Sequence, residues 1–270
     1  MQVTVISGLF AIFFYLAASV IQANRLSSKK PESAEKARNL VFGFGISAVI
    51  AHGTSAWSVI STADGFHFGL FEISTLITAS ISLLVLVSSL RKPLENLFLG
   101  LFPLAIISII ASLSISSNSA PTNMGPGLAS HVLLSILAYS FITIAALQSG
   151  FLAYQNHQLK HGHAGGLLNK FPPLQDMESF LFELLWVGQL LLSLGIVAGF
   201  LFNEEIWGIE GVPHKIIFSI LAWIVFAVLL WGRHQLGWRG QTAIKGTLIG
   251  FGLLLIGFYG SKFVLEFILS

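Results

Sequence analysis

The sequence predicts an all-α integral membrane protein, a bundle of about eight transmembrane helices with both termini outside. Hydrophobic residues make up 54% of the chain and charged residues only 10%, whereas a soluble domain carries about 25% charged residues. The apolar residues are gathered into eight long stretches, and 12 of the 14 Lys and Arg residues lie in every second gap between them. A surface so poor in charge would aggregate in water, so the natural solvent is lipid.

Each apolar stretch is long enough to cross a bilayer, because a helix rises about 1.5 Å per residue and the hydrocarbon layer requires about 20 residues. The first stretch has no basic residue before it, while Arg25, Lys29 and Lys30 follow it. We therefore expect a retained first helix rather than a cleaved signal peptide. The predicted spans are 3–22, 39–60, 70–90, 94–115, 129–154, 180–202, 214–232 and 246–268.

The basic residues predict the orientation of these spans. They lie in the gaps after spans one, three, five and seven, and the positive-inside rule places these gaps in the cytoplasm. Both termini are then periplasmic, and only Lys215 and Lys262 lie on the opposite side. The cytoplasmic set comprises Arg25, Lys29, Lys30, Lys36, Arg38, Arg91, Lys92, Lys160, Lys170, Arg233, Arg239 and Lys245.

No soluble module accompanies the spans, so residues 1–270 are predicted to form a single polytopic membrane domain without an internal repeat. The longest loop, about 155–179, contains three Gly and two Pro residues and is predicted to be irregular. The chain has no Cys, which excludes disulfide exchange, thiolate ligation and iron–sulfur clusters. Topology accounts for the basic residues, so nucleic acid is not a predicted partner.

Three of the eight His residues lie in the outer half of the predicted membrane region. His131 begins the fifth span, His214 begins the seventh, and His52 lies inside the second span, about 12 Å from its outer end. A neutral imidazole is a common ligand of iron, so two of them at one depth could bind a planar macrocycle between them. Each could equally be a structural residue that bonds a neighbouring carbonyl group.

A second group of His residues lies in the fifth gap. His157, His161 and His163 could form a weak metal site, although a solvated loop is the simpler interpretation.

The predicted outer surface also carries a Trp residue and a Lys residue that does not follow the positive-inside pattern. Trp207 lies in the last outer loop and Lys215 follows it in the seventh span. Interfacial Trp is common in membrane proteins. A bound anion would explain why Lys215 and Lys262 breach the positive-inside pattern, and so would pairing with Glu72, Glu210 or Glu266.

Two stretches of the sequence resemble a known family. HVLLSILAY, from His131 to Tyr139, looks like the start of a helix that carries an outer haem-ligand His. The segment from Trp207 to Gly240 looks like an outer loop with a Trp-rich motif and the helix after it, and His52 falls where an intramembrane His is common. These are features of CcsA/CcmC-type cytochrome c assembly proteins, and the sequence is similar to their YpjD-like subgroup over about 39–268.

The resemblance implies a haem site. It implies a non-covalent haem b with iron bound by His131 and His214, a second-site ligand or relay at His52, a stacking wall at Trp207 and a propionate partner at Lys215. Only Trp207 and Gly208 remain of the Trp-rich motif, and no His follows His234 where the lyases of the family carry a second outer ligand. We therefore do not expect a self-sufficient haem lyase.

The predicted function is haem binding or handling in the bacterial inner membrane, in support of cytochrome c-type biogenesis and beside other assembly components. The alternative is a modulator of divalent-cation transport or resistance that binds no haem. Against this alternative, no span carries Asp or Glu near its centre, where a cation path would place one. A structural subunit with packing His residues is a third interpretation.

Overall fold

The computed structural model describes residues 2–27, 32–90, 92, 94–115, 121–161, 172–202 and 212–268. Eight of its helices are long and apolar enough to cross a membrane, which confirms the predicted all-α, multi-pass class. The helices are α1 Gln2–Ser27, α2 Glu32–Ile60, α3 Leu70–Ser89, α4 Phe98–Ser114, α5 Pro126–Lys160, α6 Leu174–Phe202, α7 Val212–Gln235 and α8 Gln241–Leu255.

Smaller elements complete the described chain. A two-stranded antiparallel hairpin, β1 Ser61–Thr62 and β2 Gly65–Phe66, joins α2 to α3, and the turn requires Gly65 at a φ of 132°. A 3-10 turn precedes α4. The last helix continues beyond α8 to Ile268 through two π-helical turns, Ile256–Gly260 and Val264–Ile268.

The loop predicted over 155–179 is shorter than expected, because helix continues from both sides. α5 extends to Lys160 and α6 already begins at Leu174. Two buried amides of α5 explain the extension, since Gln148 Nε2 donates to the Met177 carbonyl and Gln155 Nε2 to the Pro172 carbonyl, each at 3.1 Å. The α5–α6 interface therefore continues past the predicted membrane boundary. His163 lies outside the described residues.

The helices form two compact units, α1–α4 and α5 to the end of the last helix. In each unit every helix packs against its neighbours along the chain, and the first helix packs against the fourth. The same order of helix packing therefore occurs twice, although the sequence shows no repeat. The single membrane domain over residues 1–270 stays a prediction.

Aromatic packing and one ion pair hold the first unit together. Phe98 and Phe102 stack with centroids 4.8 Å apart, and the ring of Tyr15 lies 4.9 Å from that of Phe102. At the end predicted to be cytoplasmic, Arg38 Nε donates to Glu95 Oε1 at 2.7 Å and Gln22 Nε2 to the Glu95 carbonyl at 3.0 Å. These bonds tie α1 and α2 to the turn before α4.

Small residues bring α5 and α6 close together in the second unit. A Cβ added to Gly188 would stand 2.8 Å from Ile142 Cγ1, and one added to Gly127 would stand 2.6 Å from Phe202 Cβ. Both are closer than real side chains allow, so glycine is required for this approach. Close backbone contact through small residues is a common way to join helices in lipid, where the hydrophobic effect does not drive association.

Candidate functional site

Three of the predicted site residues, His131, His214 and Lys215, lie at one end of the second unit. There α5 begins beside the end of α6, since Gly127 lies against Phe202, and α7 begins beside the last helix, since Gly257 lies against Phe218 and the Lys215 carbonyl. This is the end that the charge pattern predicts to be outer. It carries His131, His214, Lys215, Lys262 and Glu266.

His131 lies in a notch formed by α6. Pro126 at the first helical position starts α5, and His131 follows on the second turn. Its Nδ1 lies 2.8 Å from the main-chain carbonyl oxygen of Gly195. A Cβ added to Gly199 would stand 3.1 Å from Nδ1 and from Cε1 of the ring. Gly195 and Gly199 form a G-x-x-x-G pair, so the imidazole lies directly on the α6 backbone.

The Gly195 carbonyl also fixes the tautomer of His131. A carbonyl oxygen only accepts, so Nδ1 carries the proton and donates it. In the neutral imidazole the lone pair is then on Nε2. No partner of Nε2 is recorded in the described part of the chain, and the residue is half-buried. Metal-binding His residues are typically oriented in this way, by a bond from the second ring nitrogen to a carbonyl or carboxylate.

His214 lies at the same end of the unit and is exposed. It is carried by α7, which packs against α6 and α8, whereas α5 packs against the same two helices from their other sides. The two His residues therefore belong to diagonal helices of the bundle. No hydrogen bond or ring contact joins them among the described residues.

Three charged residues form a cluster between α7 and the last helix. Lys262 Nζ lies 3.0 Å from Glu266 Oε1, and both side chains are largely shielded, with 15% and 10% exposed. Lys215 is close enough to interact electrostatically with both. The carboxylate of Glu266 is thus paired with Lys262, and Lys215 lies within electrostatic range of the pair. For Lys262 the sequence left two explanations open, a bound anion or pairing with a carboxylate, and the structure shows the pairing with Glu266.

His52 lies in the first unit and is fully buried. Its Nδ1 lies 3.2 Å from the Tyr15 hydroxyl and its Nε2 lies 2.9 Å from Thr75 Oγ1. The Tyr15 ring meets the imidazole edge-on, with centroids 5.7 Å apart. Both ring nitrogens are thus occupied by side chains of α1 and α3, and binding iron would require one of these bonds to break.

The remaining predicted site residues are Trp207 and the His residues of the fifth gap. Trp207, with the rest of the last outer loop, lies outside the described residues. The rings of His157 and His161 lie side by side at the end of α5, with centroids 4.2 Å apart and planes tilted by 40°, and His161 Nδ1 lies 2.8 Å from the His157 carbonyl oxygen. Among the described residues no group of three or more His, Asp or Glu side chains is placed to hold a metal ion.

Several residues that shape the site were not identified from the sequence. Gly195 and Gly199 could have been found, because the G-x-x-x-G spacing is a known signal of close helix packing in membranes. Tyr139, whose hydroxyl donates to the Leu254 carbonyl at 2.7 Å, ties α5 to α8. Trp223 Nε1 donates to Ser193 Oγ at 2.8 Å and ties α7 to α6. These contacts have no sequence signal, because they depend on which helix faces point together.

Comparison with known proteins identifies relatives over most of the chain. The family described as Cytochrome C assembly protein matches residues 40–269. The chain is 28% identical to the inner membrane protein YpjD of Escherichia coli K12, over 76% of this chain and 78% of that protein. No solved structure matches.

Two further relatives carry other names. The chain is 24% identical to the cytochrome c biogenesis protein CcsA of Prochlorococcus marinus strain AS9601, over 95% of this chain and 90% of that protein. It is 25% identical to the protein HemX of Brevibacillus brevis, over 49% of each.

Proposed function

The chain belongs to the cytochrome c assembly protein family, and we propose that it binds haem at the end of its second unit that carries His131, His214 and Lys215. Membership of the family and the relatives named CcsA support a general role in cytochrome c biogenesis. The finer proposal is that this chain holds or passes a non-covalent haem b in the outer leaflet of the inner membrane, for assembly components that supply the client.

The observation that carries the proposal is the arrangement of His131. A His with a merely structural role would satisfy as many of its polar atoms as it can in an apolar setting, because unpaired polar groups are costly there. His131 instead has its Nδ1 fixed by the Gly195 carbonyl, and among the described residues no group bonds its Nε2, which keeps its lone pair. This is the orientation that a ligand of iron requires.

The neighbouring residues fit the rest of a haem group. Haem is an apolar plane with two carboxylates at one edge, so it requires apolar walls and nearby positive charge. The helices around His131 are apolar, and the cluster of Lys215, Lys262 and Glu266 has one positive charge in excess. We propose Lys215 as the propionate partner, because Lys262 is already paired, and Trp207 as a stacking wall.

Bound haem would supply iron that can change between the ferric and ferrous states. The chain itself would contribute His131 as a ligand of the iron and the Gly195 carbonyl as the group that keeps the proton of His131 on Nδ1. His214 is the proposed second ligand, since it lies at the same end and is exposed. For His52 we propose a role as a relay or packing residue, because Tyr15 and Thr75 occupy its nitrogens.

The test is the visible spectrum of the purified protein, oxidised and then reduced with dithionite. We expect a Soret band with sharp reduced α and β bands in the wild type and the loss of these bands in His131→Ala. His234→Ala, at the opposite end of α7, is the matched control and should keep the wild-type spectrum. A wild-type protein without a Soret band after expression with ample haem would contradict the proposal.

A further inference from the structure

A groove between α7 and α8 lies at the end of the second unit opposite to the proposed haem site. It has a volume of about 410 Å³, which is within the range of small-molecule sites, about 300–1,000 Å³. Its wall on α7 is apolar and includes Ile224 and Val228, while Gln241 and Lys245 of α8 stand at its polar rim. Ile224 and Val228 are 45% and 46% exposed, so the groove opens toward the bilayer.

Trp238 closes the end of the groove and is held there by a defined turn. Its amide N–H donates to the Gly232 carbonyl at 3.1 Å, and its indole lies so close to Gly232 that any side chain there would overlap it. Gly237 and Gly240 have φ values of 66° and 54°, which only glycine adopts readily. The turn from α7 to α8 therefore folds the indole back onto α7.

A single carboxylate of α6 fixes this turn. Glu178 accepts from Arg233 Nη1 at 2.8 Å, from Arg239 Nε at 3.2 Å and from the amide of Gly240 at 3.0 Å. Its oxygens are thus engaged by three donors.

The charge around the groove is unbalanced. Two guanidinium groups share the Glu178 carboxylate. No ion pair joins Lys245 to a carboxylate within the described part of the chain, and no Asp or Glu lines the groove. An apolar groove with one uncompensated cation at its rim, at the predicted cytoplasmic surface, is complementary to a molecule with an apolar chain and an anionic head.

We propose that this groove binds one anionic phospholipid from the bilayer. An acyl chain would lie along the α7 wall at Ile224 and Val228, Trp238 would pack at the interface, and Lys245 would meet the phosphate. Basic residues between helices at the cytoplasmic surface are known to favour anionic headgroups, and Trp is enriched at that depth. A soluble anion would gain nothing from the apolar wall.

The test uses native mass spectrometry of the full-length protein in mild detergent, titrated with phosphatidylglycerol or with phosphatidylethanolamine of the same acyl chains. We expect one tightly bound phosphatidylglycerol, preferred over phosphatidylethanolamine by about fivefold, since one Lys near a membrane surface contributes about 1 kcal/mol. Lys245→Gln should remove the preference. Val228→Trp, which fills the groove, should weaken the binding of both lipids.

Lys160→Gln is the matched control, because it removes one exposed charge from the same predicted surface but outside the groove. It should keep the wild-type preference. Three results would overturn the proposal: equal binding of the two lipids by the wild type, an equal loss in Lys160→Gln, or displacement of the lipid by inorganic phosphate. The Soret band should be unchanged in Lys245→Gln, so failure of the haem proposal and failure of the lipid proposal are distinguishable.

Discussion

In the first unit the imidazole of His52 is fully buried and both of its nitrogens are hydrogen-bonded, whereas in the second unit His131 is half-buried and only its Nδ1 has a recorded partner within the described residues. The two residues are carried by units with the same order of packed helices. The architecture is therefore shared, and the difference lies in what surrounds each ring.

The neighbours of the two rings explain this difference. His52 meets two hydroxyl side chains, Tyr15 and Thr75, which can each donate or accept and so satisfy both nitrogens. His131 meets the backbone of Gly195 and Gly199, which offers one acceptor and no side chain. The ring with two partners ties α1 and α3 to α2 in its unit, and the ring with one partner is the one that we propose as the iron ligand.

The largest expected effect is on stability, in the first unit. His52→Ala leaves a cavity and removes the partner of the Tyr15 and Thr75 hydroxyls, so we expect it to lower the free energy of unfolding by about 2–4 kcal/mol. His131→Ala should cost about 1 kcal/mol or less, since it is half-buried and makes one bond, which is typical of interhelical bonds in membranes. Thermal unfolding in detergent measures both changes.

The spectra of the same two variants should show the opposite order. His52→Ala should retain the haem bands per mole of folded protein, and His131→Ala should lose them. Thr54→Ala, at an exposed position of the same helix, is the matched control and should keep both the wild-type stability and the haem bands. If His52→Ala removed the haem bands while the fold survived, His52 would be a ligand and the contrast between the two rings would be wrong.

A smaller effect is expected from the notch that seats His131. Gly199→Ala would place a Cβ 3.1 Å from Nδ1 and Cε1 of the ring and so push the imidazole away from the Gly195 carbonyl. Loss of such an orienting bond costs about 10- to 100-fold in metal affinity, and we expect about tenfold weaker haem binding with little change in unfolding. Haem titration followed at the Soret band gives the affinity.

Gly150→Ala is the matched control for this substitution. Gly150 lies in α5, and a Cβ added there would meet nothing within 4 Å, so neither haem affinity nor the fold should change. A Gly199→Ala protein with wild-type affinity would show that the seat on α6 does not position the ring for binding.

Composition and hydropathy predicted the spans well because a lipid-facing helix is apolar on nearly every side, so its length can be read directly. They did not predict the helical ends within 155–179. There the side chains of Gln148 and Gln155 donate to the main-chain carbonyls of Met177 and Pro172, so the contact between α5 and α6 continues beyond the apolar stretch. The repeated order of helix packing could not be predicted from the sequence either, because many different apolar sequences can form helices that pack in the same order.

For the candidate site, the sequence predicted depth but not partners. Topology alone placed His131, His214 and Lys215 toward one surface, and the structure brings them to one end of the second unit. Depth could not separate His52 from His131, since both lie in the predicted outer half. The distinction depends on which side of each helix faces its neighbour, and in helices that are apolar all round the periodic signal for this is weak.

The smallest expected effect is a difference in haem affinity between substitutions of Lys215 and Lys262. Lys215→Gln removes the cation that we propose as the propionate partner, and haem affinity should fall about fivefold, since an ion pair of this kind is worth about 1 kcal/mol. Lys262→Gln instead removes the ammonium that lies 3.0 Å from Glu266, so we expect it to lower stability more than haem affinity.

The comparison of these two variants decides whether Lys215 and Lys262 lie at the predicted outer surface to pair with Glu266 or to bind an anion. If both lysines serve only Glu266, then Lys215→Gln and Lys262→Gln should each reduce stability and leave haem affinity equal to that of the wild type. If Lys215 serves a bound anion, its effect on haem affinity should shrink at high salt, because partly exposed charges are screened, and should disappear with a haem analogue whose propionates are esterified. The ester requires no cation, so it tests the charge pairing while His131 and the apolar walls are unchanged.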